Sequence, residues 1–92
     1  MRRTNINAVL KIIRMYLDGK ISRIDLTLDF PDELEKRYEK MSLEDREYAK
    51  LIYDRLLEDG IYCGDDLSDE DFRDLMKGQY KDVLDIAREG FV

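Results

Sequence analysis

Twenty-two carboxylates, six tyrosines and one cysteine are the side chains with chemistry to offer, and the chain contains no histidine. Paired carboxylates run glycoside hydrolysis when two of them stand about 5 to 9.5 Å apart across a substrate cleft. None of these acids sits in the apolar context that would raise its pKa for proton transfer. They read as a solvated face. Calcium is the next chemistry to weigh, because Asp59-Gly60 and Asp65-Asp66 share a loop. A helix–loop–helix calcium site wants oxygen ligands at loop positions 1, 3 and 5, Gly at 6 and Glu at 12. Counting from Asp59 places Gly64 sixth and Glu70 twelfth, but Ile61 and Cys63 fall where the middle ligands belong. Cys63 has no histidine or basic neighbour to lower its pKa, so it reads as a bland thiol and not a nucleophile. Glycine-rich phosphate loops are absent. No catalytic residue, cofactor or metal site is expected.

Recognition remains. From Glu58 to Asp74 eight carboxylates stand against the single cation Arg73. Two or three carboxylates would serve helix capping, and clustering eight costs stability through self-repulsion. Tyr38 and Tyr80 lie on apolar stripes and are expected in the core with the hydroxyl at its rim. Tyr48, Tyr53 and Tyr62 lie beside acids, an arrangement that suits contact with a basic protein, since the ring contributes area at low entropy cost. The expected partner surface is Tyr53, Glu58, Asp59, Tyr62, Asp65, Asp66, Asp69 and Glu70. Residues 1–23 show the opposite bias, with six cations against Asp18 alone. They carry no interleaved aromatics for base stacking, and a recognition helix opening on Asp32-Glu33-Leu34-Glu35 would repel phosphate. Nucleic-acid binding is not expected, and these cations are read as answering the chain's own acids.

Helices must position these residues. Ser22-Arg23-Ile24-Asp25, Ser42-Leu43-Glu44-Asp45 and Ser68-Asp69-Glu70-Asp71 each place a hydroxyl three residues before a carboxylate, the spacing of a capping box. Together with the apolar spacing they predict an all-α bundle of four to five helices, at about 5–18, 22–29, 31–41, 43–59 and 69–88. The first carries Ile6, Val9, Leu10, Ile13 and Leu17, widened by Ile12, Met15 and Tyr16, with Thr4 or Asn5 as its cap. A stripe so wide suggests a central helix or a second contact surface. Segment 24–30 also alternates like a strand, so an extended form is the alternative there. Pro31 is read as a boundary and Gly60 as a left-handed helix end. Leu67 is expected to staple onto Phe72 across the Ser68 cap. Phe72, Leu75, Met76, Tyr80, Val83, Leu84 and Ala87 keep phase through Gly78, which predicts one last helix.

The chain has 92 residues, 41% of them charged, with a net charge of −6. That suits a single domain over 1–92 built from thin helices, each with one apolar stripe. One cysteine cannot close an internal disulfide, and no apolar run nears the roughly 18 residues of a membrane span. Lys11 and Arg14 interrupt the apolar stretch behind Met1-Arg2-Arg3, so no signal peptide is read and a cytoplasmic location is expected. Small acidic helical immunity proteins and nucleic-acid-mimicking inhibitors share this composition, a likeness of type and not of sequence. The functional expectation is a non-enzymatic protein-binding or inhibitory module. A homodimerising structural or regulatory component, using the apolar first helix, is the alternative.

Overall fold

The chain forms α1 (Thr4–Leu17), α2 (Arg23–Glu44), α3 (Arg46–Ile52), a π-helical segment (Tyr53–Tyr62) and α4 (Asp69–Glu89). The structure is a computed structural model that describes residues 3–90. It is 84% helical with no strand among the described residues, the all-α bundle expected. No helix among them is long and apolar enough to cross a membrane.

α1 buries Ile6, Val9, Leu10, Ile13 and Tyr16, and packs on both α2 and α4. Contact on two sides accounts for the width of its stripe. Gly19 ends it at φ 79°, with the Lys20 N–H reaching back to the Met15 carbonyl at 2.8 Å. This is the left-handed helix end that glycine favours. Its start differs from the expected Thr4 or Asn5 cap. Arg3 holds the cap position without a side-chain bond to the N–H groups of the first turn. Glu44, at the far end of α2, accepts from the Asn5 and Ile6 N–H groups at 2.9 and 3.0 Å instead.

The two short helices expected at 22–29 and 31–41 are one. α2 opens on the Ser22 box, where Oγ accepts from the Asp25 N–H at 3.1 Å, and runs straight through Pro31. Proline inside a helix costs about 3 kcal/mol. Leu26, Phe30, Leu34 and Met41 fall on one continuous buried face, and each such side chain contributes about 1.5 to 3 kcal/mol on burial. Burial wins. The same face decides 24–30 against an extended form, because Leu26 and Phe30 point inward while Ile24 and Leu28 stay 70% and 67% exposed.

The Ser42 box is a correction as well. Ser42 lies inside α2, and Asp45 caps α3 by accepting from the Tyr48 N–H at 3.1 Å. The single helix expected at 43–59 is therefore a short α3 that passes into the π segment. Gly60 is not left-handed: among the described residues only Gly19 and Gly90 have positive φ. The π segment runs through it, and a Cβ there would stand 2.9 Å from the Met76 sulfur. Bare backbone at Gly60 lets α4 approach closely. The Ser68 cap forms, with Oγ accepting from the Asp71 N–H at 3.2 Å, and α4 continues unbroken past Gly78. Leu67 is 39% exposed, and Tyr16 and Arg23 lie against the Phe72 ring.

Glu44 makes this fold acid-sensitive. Burial pushes its carboxyl up, but the N–H groups of Ile6 and Asn5, the Asn5 amide and the Arg37 charge together hold it below its ordinary 4.5. A carboxylate depressed on folding contributes stability above its unfolded pKa, and loses it as pH falls through the folded value. Glu44→Gln is expected to cost about 1 to 2 kcal/mol at pH 7. In urea denaturation the gap between the two proteins should close as pH falls below the ordinary carboxylate range. A gap that persists in acid would mean that the lost contact is not the ionised cap.

Candidate functional site

The π segment is where the fold builds a concave surface. In an α-helix Tyr62 would lie about 140° round from Leu57. Here the turns are wider, as in the bond from the Cys63 N–H to the Glu58 carbonyl, five residues back, at 3.1 Å. Residues five apart then stack, which sets Tyr62 beside Leu57 and Tyr53 on one face. α2 supplies the facing wall with Pro31, Leu34, Glu35 and Tyr38. The groove between them has a volume of about 450 Å³. Tyr38 meets Tyr53 edge to face, with ring centroids 5.6 Å apart. Tyr53 and Tyr62 remain 38% and 58% exposed. Glu35 is the one charged residue lining the groove.

Of the residues expected in a partner surface, Tyr53 and Tyr62 come together in this groove. Glu58 and Asp59 ride on the same segment, exposed. Asp65 and Asp66 occupy the loop before α4 and Glu70 its first turn, all exposed and without an ion pair among the described residues. Asp69 is different, because its carboxylate holds Arg23 at 2.8 Å. Arg23 also donates to the Gly64 and Asp65 carbonyls, both at 3.2 Å, and lies 4.2 Å over the Phe72 ring. It fastens the acidic loop to the start of α2. Tyr48, expected beside the acids, is buried under Arg3 and its hydroxyl is pushed up by that burial. Pro31, Leu34, Tyr38 and Leu57 were not expected in a site. Tyr38 and Tyr53 lie fifteen residues apart on different elements, so no spacing in the sequence joins them.

No protein-family model, no curated protein and no solved structure matches this chain. Its function is therefore to be sought in the geometry of its surface.

A second concavity, of about 550 Å³, lies between the end of α1 and α4. Leu17, Tyr80 and Leu84 contribute apolar surface, and Arg14, Arg73, Lys77, Lys81 and Arg88 contribute charge. Three of these cations are engaged. Tyr80 and then Asp18 hold the Arg14 guanidinium above its ordinary range. Arg88 pairs with Asp85, and Arg73 donates to the carbonyls of Tyr16 and Leu17. Lys77 and Lys81 make no ion pair among the described residues. Elsewhere Arg3 answers Asp45 and Arg23 answers Asp69, both at 3.0 Å or less. Cys63 is a free, exposed thiol. Among the described residues no three carboxylates or thiols are grouped to hold a metal ion.

Proposed function

We propose that this protein is a non-enzymatic binding module that takes a basic segment of a protein partner into the groove between α2 and the π segment. The observation that carries this reading is the convergence of Tyr38, Tyr53 and Tyr62 around Pro31, Leu34 and Leu57, with Glu35 the one lining charge among the described residues. Tyrosine faces accept an arginine or lysine side chain through the ring quadrupole, and Pro31, Leu34 and Leu57 accept its alkyl stem or an apolar neighbour. Glu58, Asp59, Asp65 and Asp66 add unpaired negative charge close by in sequence. Such charge acts mainly on the rate of encounter, while aromatic anchors in a pocket supply most of the binding energy. An inhibitor that covers a basic surface of its target would work in this way.

The test is a titration of the ¹⁵N-labelled full chain with an Arg- and Lys-rich peptide carrying one leucine, against an acidic peptide of equal length. Amide shifts are expected at Tyr53, Leu57 and Tyr62 with the basic peptide only. Tyr62→Ala should weaken its binding about tenfold, the loss of one anchor residue. Amides at Glu58, Asp59, Asp65 and Asp66 should slow association at low salt and change little at about 1 M, where the Debye length is about 3 Å. Equal shifts with both peptides, or shifts confined to other elements, would overturn the reading.

A further inference from the structure

We propose that the outer face of α4 is a self-complementary surface on which two copies of this chain pair antiparallel. The face is read from spacing. Glu70, Asp74, Lys77, Lys81, Leu84 and Arg88 follow one another at intervals of four, three, four, three and four, so they share one stripe of the helix. Glu70, Asp74, Lys77, Lys81 and Arg88 are exposed and Leu84 is half-buried, whereas the core of α4 is Phe72, Met76 and Val83. The charged residues of the stripe are therefore open to solvent, and from Lys77 onward the stripe borders the α1/α4 groove, where Leu84 packs against the core.

Charge along it is split. Its N-terminal part is acidic and its middle is basic. Glu70, Asp74, Lys77 and Lys81 make no ion pair among the described residues. A twofold axis crossing α4 between residues 75 and 76 sets the two acids of the stripe against its two lysines. Lys77 of one copy then meets Asp74 of the other, and Lys81 meets Glu70, each pair occurring twice. Leu67, 39% exposed just before α4, stands at the acidic end of the stripe, so the same arrangement carries it towards the Leu84 end of the other copy. Leu84 lines the α1/α4 groove with Leu17 and Tyr80, so this groove has the apolar surface to receive Leu67. A surface that pairs residue i with j and j with i is what a closed, isologous dimer requires. The parallel arrangement places acid on acid and base on base.

Four ion pairs and two leucine contacts make a small, polar interface, in the class of transient associations. Dimer is thus expected at high protein concentration and low salt. This surface is separate from the tyrosine groove, so either reading can fail alone.

The experiment is sedimentation equilibrium of the full chain at about 20 mM and about 500 mM salt, which brackets strong and weak screening, with two charge-reversed variants. One carries Lys77→Glu and Lys81→Glu, the other Glu70→Lys and Asp74→Lys, both checked for helix by circular dichroism. At low salt the native chain should rise from its monomer mass of 11.0 kDa towards twice that value with concentration, and should stay monomeric at high salt. Each variant alone should lose the dimer, since its stripe now carries one sign. An equimolar mixture of the two should recover it as a heterodimer, because like-for-unlike pairing is restored between the copies. Either of two results would overturn the proposal: a native chain monomeric throughout, or a dimer that survives in each variant alone. A mixture that stays monomeric would overturn the antiparallel register as well.

Discussion

Phe72→Ala is expected to lower the free energy of unfolding by about 3 to 5 kcal/mol, the cost of truncating a fully buried aromatic side chain. The ring lies at the first turn of α4, with none of its surface exposed. It meets Tyr16 of α1 edge to face at 5.8 Å and carries the Arg23 guanidinium at 4.2 Å. Gly64 comes in so closely that a Cβ there would stand 2.9 Å from the ring. Three other parts of the chain thus converge on one side chain, and truncation leaves a void that none of them can fill without moving the others. A domain of this size has about 5 to 10 kcal/mol in total, so the variant would be close to unfolding at room temperature. Urea denaturation gives the loss directly, with Ser68→Ala as the comparator at about 1 kcal/mol for a lost helix cap. If Phe72→Ala cost no more than Ser68→Ala, the ring would not be at the centre of these contacts.

Arg23→Ala is expected to cost about 2 to 3 kcal/mol, and Asp69→Asn less than about 1 kcal/mol. The ordering follows from where each group sits. The Asp69 side chain is 93% exposed, so its ion pair is worth little despite a separation of 2.8 Å. Arg23 is only 21% exposed, and its removal strips a donor from the carbonyls of Gly64 and Asp65 and a cover from Phe72. Hydrogen bonds and packing outweigh the salt bridge. Arg23→Lys should recover little, because an ammonium cannot span the two carbonyls and the carboxylate while lying flat on a ring. Amide exchange at residues 64–69 should quicken in Arg23→Ala, since the loop that presents Asp65 and Asp66 loses its tether. Equal losses from Arg23→Ala and Asp69→Asn would assign the energy to the ion pair instead.

The parts of this fold legible in the sequence are those set by neighbours within a turn or two. The Ser22 and Ser68 caps, the Gly19 helix end and the stripe of α4 each depend on residues no more than a few positions apart. Their residue types have few other uses. The misread parts all involve a distant partner. Pro31 marks a boundary by local rules, and only the burial of Phe30 and Leu34 on a shared face carries α2 through it. Ser42 has the spacing of a cap, but Glu44 beside it is drawn to the start of α1, 39 residues away at Asn5. Gly60 has the sequence context of a helix end and is instead where Met76 presses on the backbone.

The candidate site divides in the same way. Composition and order alone determined an all-α chain, its acidic stretch from Glu58 to Asp74, and the lack of histidine for catalysis. These are properties of residue type and short-range pattern. Tertiary structure decided the rest. It wound the π segment so that Tyr62 turned onto the face of Leu57 and Tyr53, and it set Tyr38 of α2 opposite them. It also buried Tyr48, taking it off the surface, and paired the still exposed Asp69 with Arg23. The physical reason is that a side chain's direction is fixed by the pitch of its helix and by what packs against it. Both are set by contacts between residues far apart in the chain, which no local spacing records.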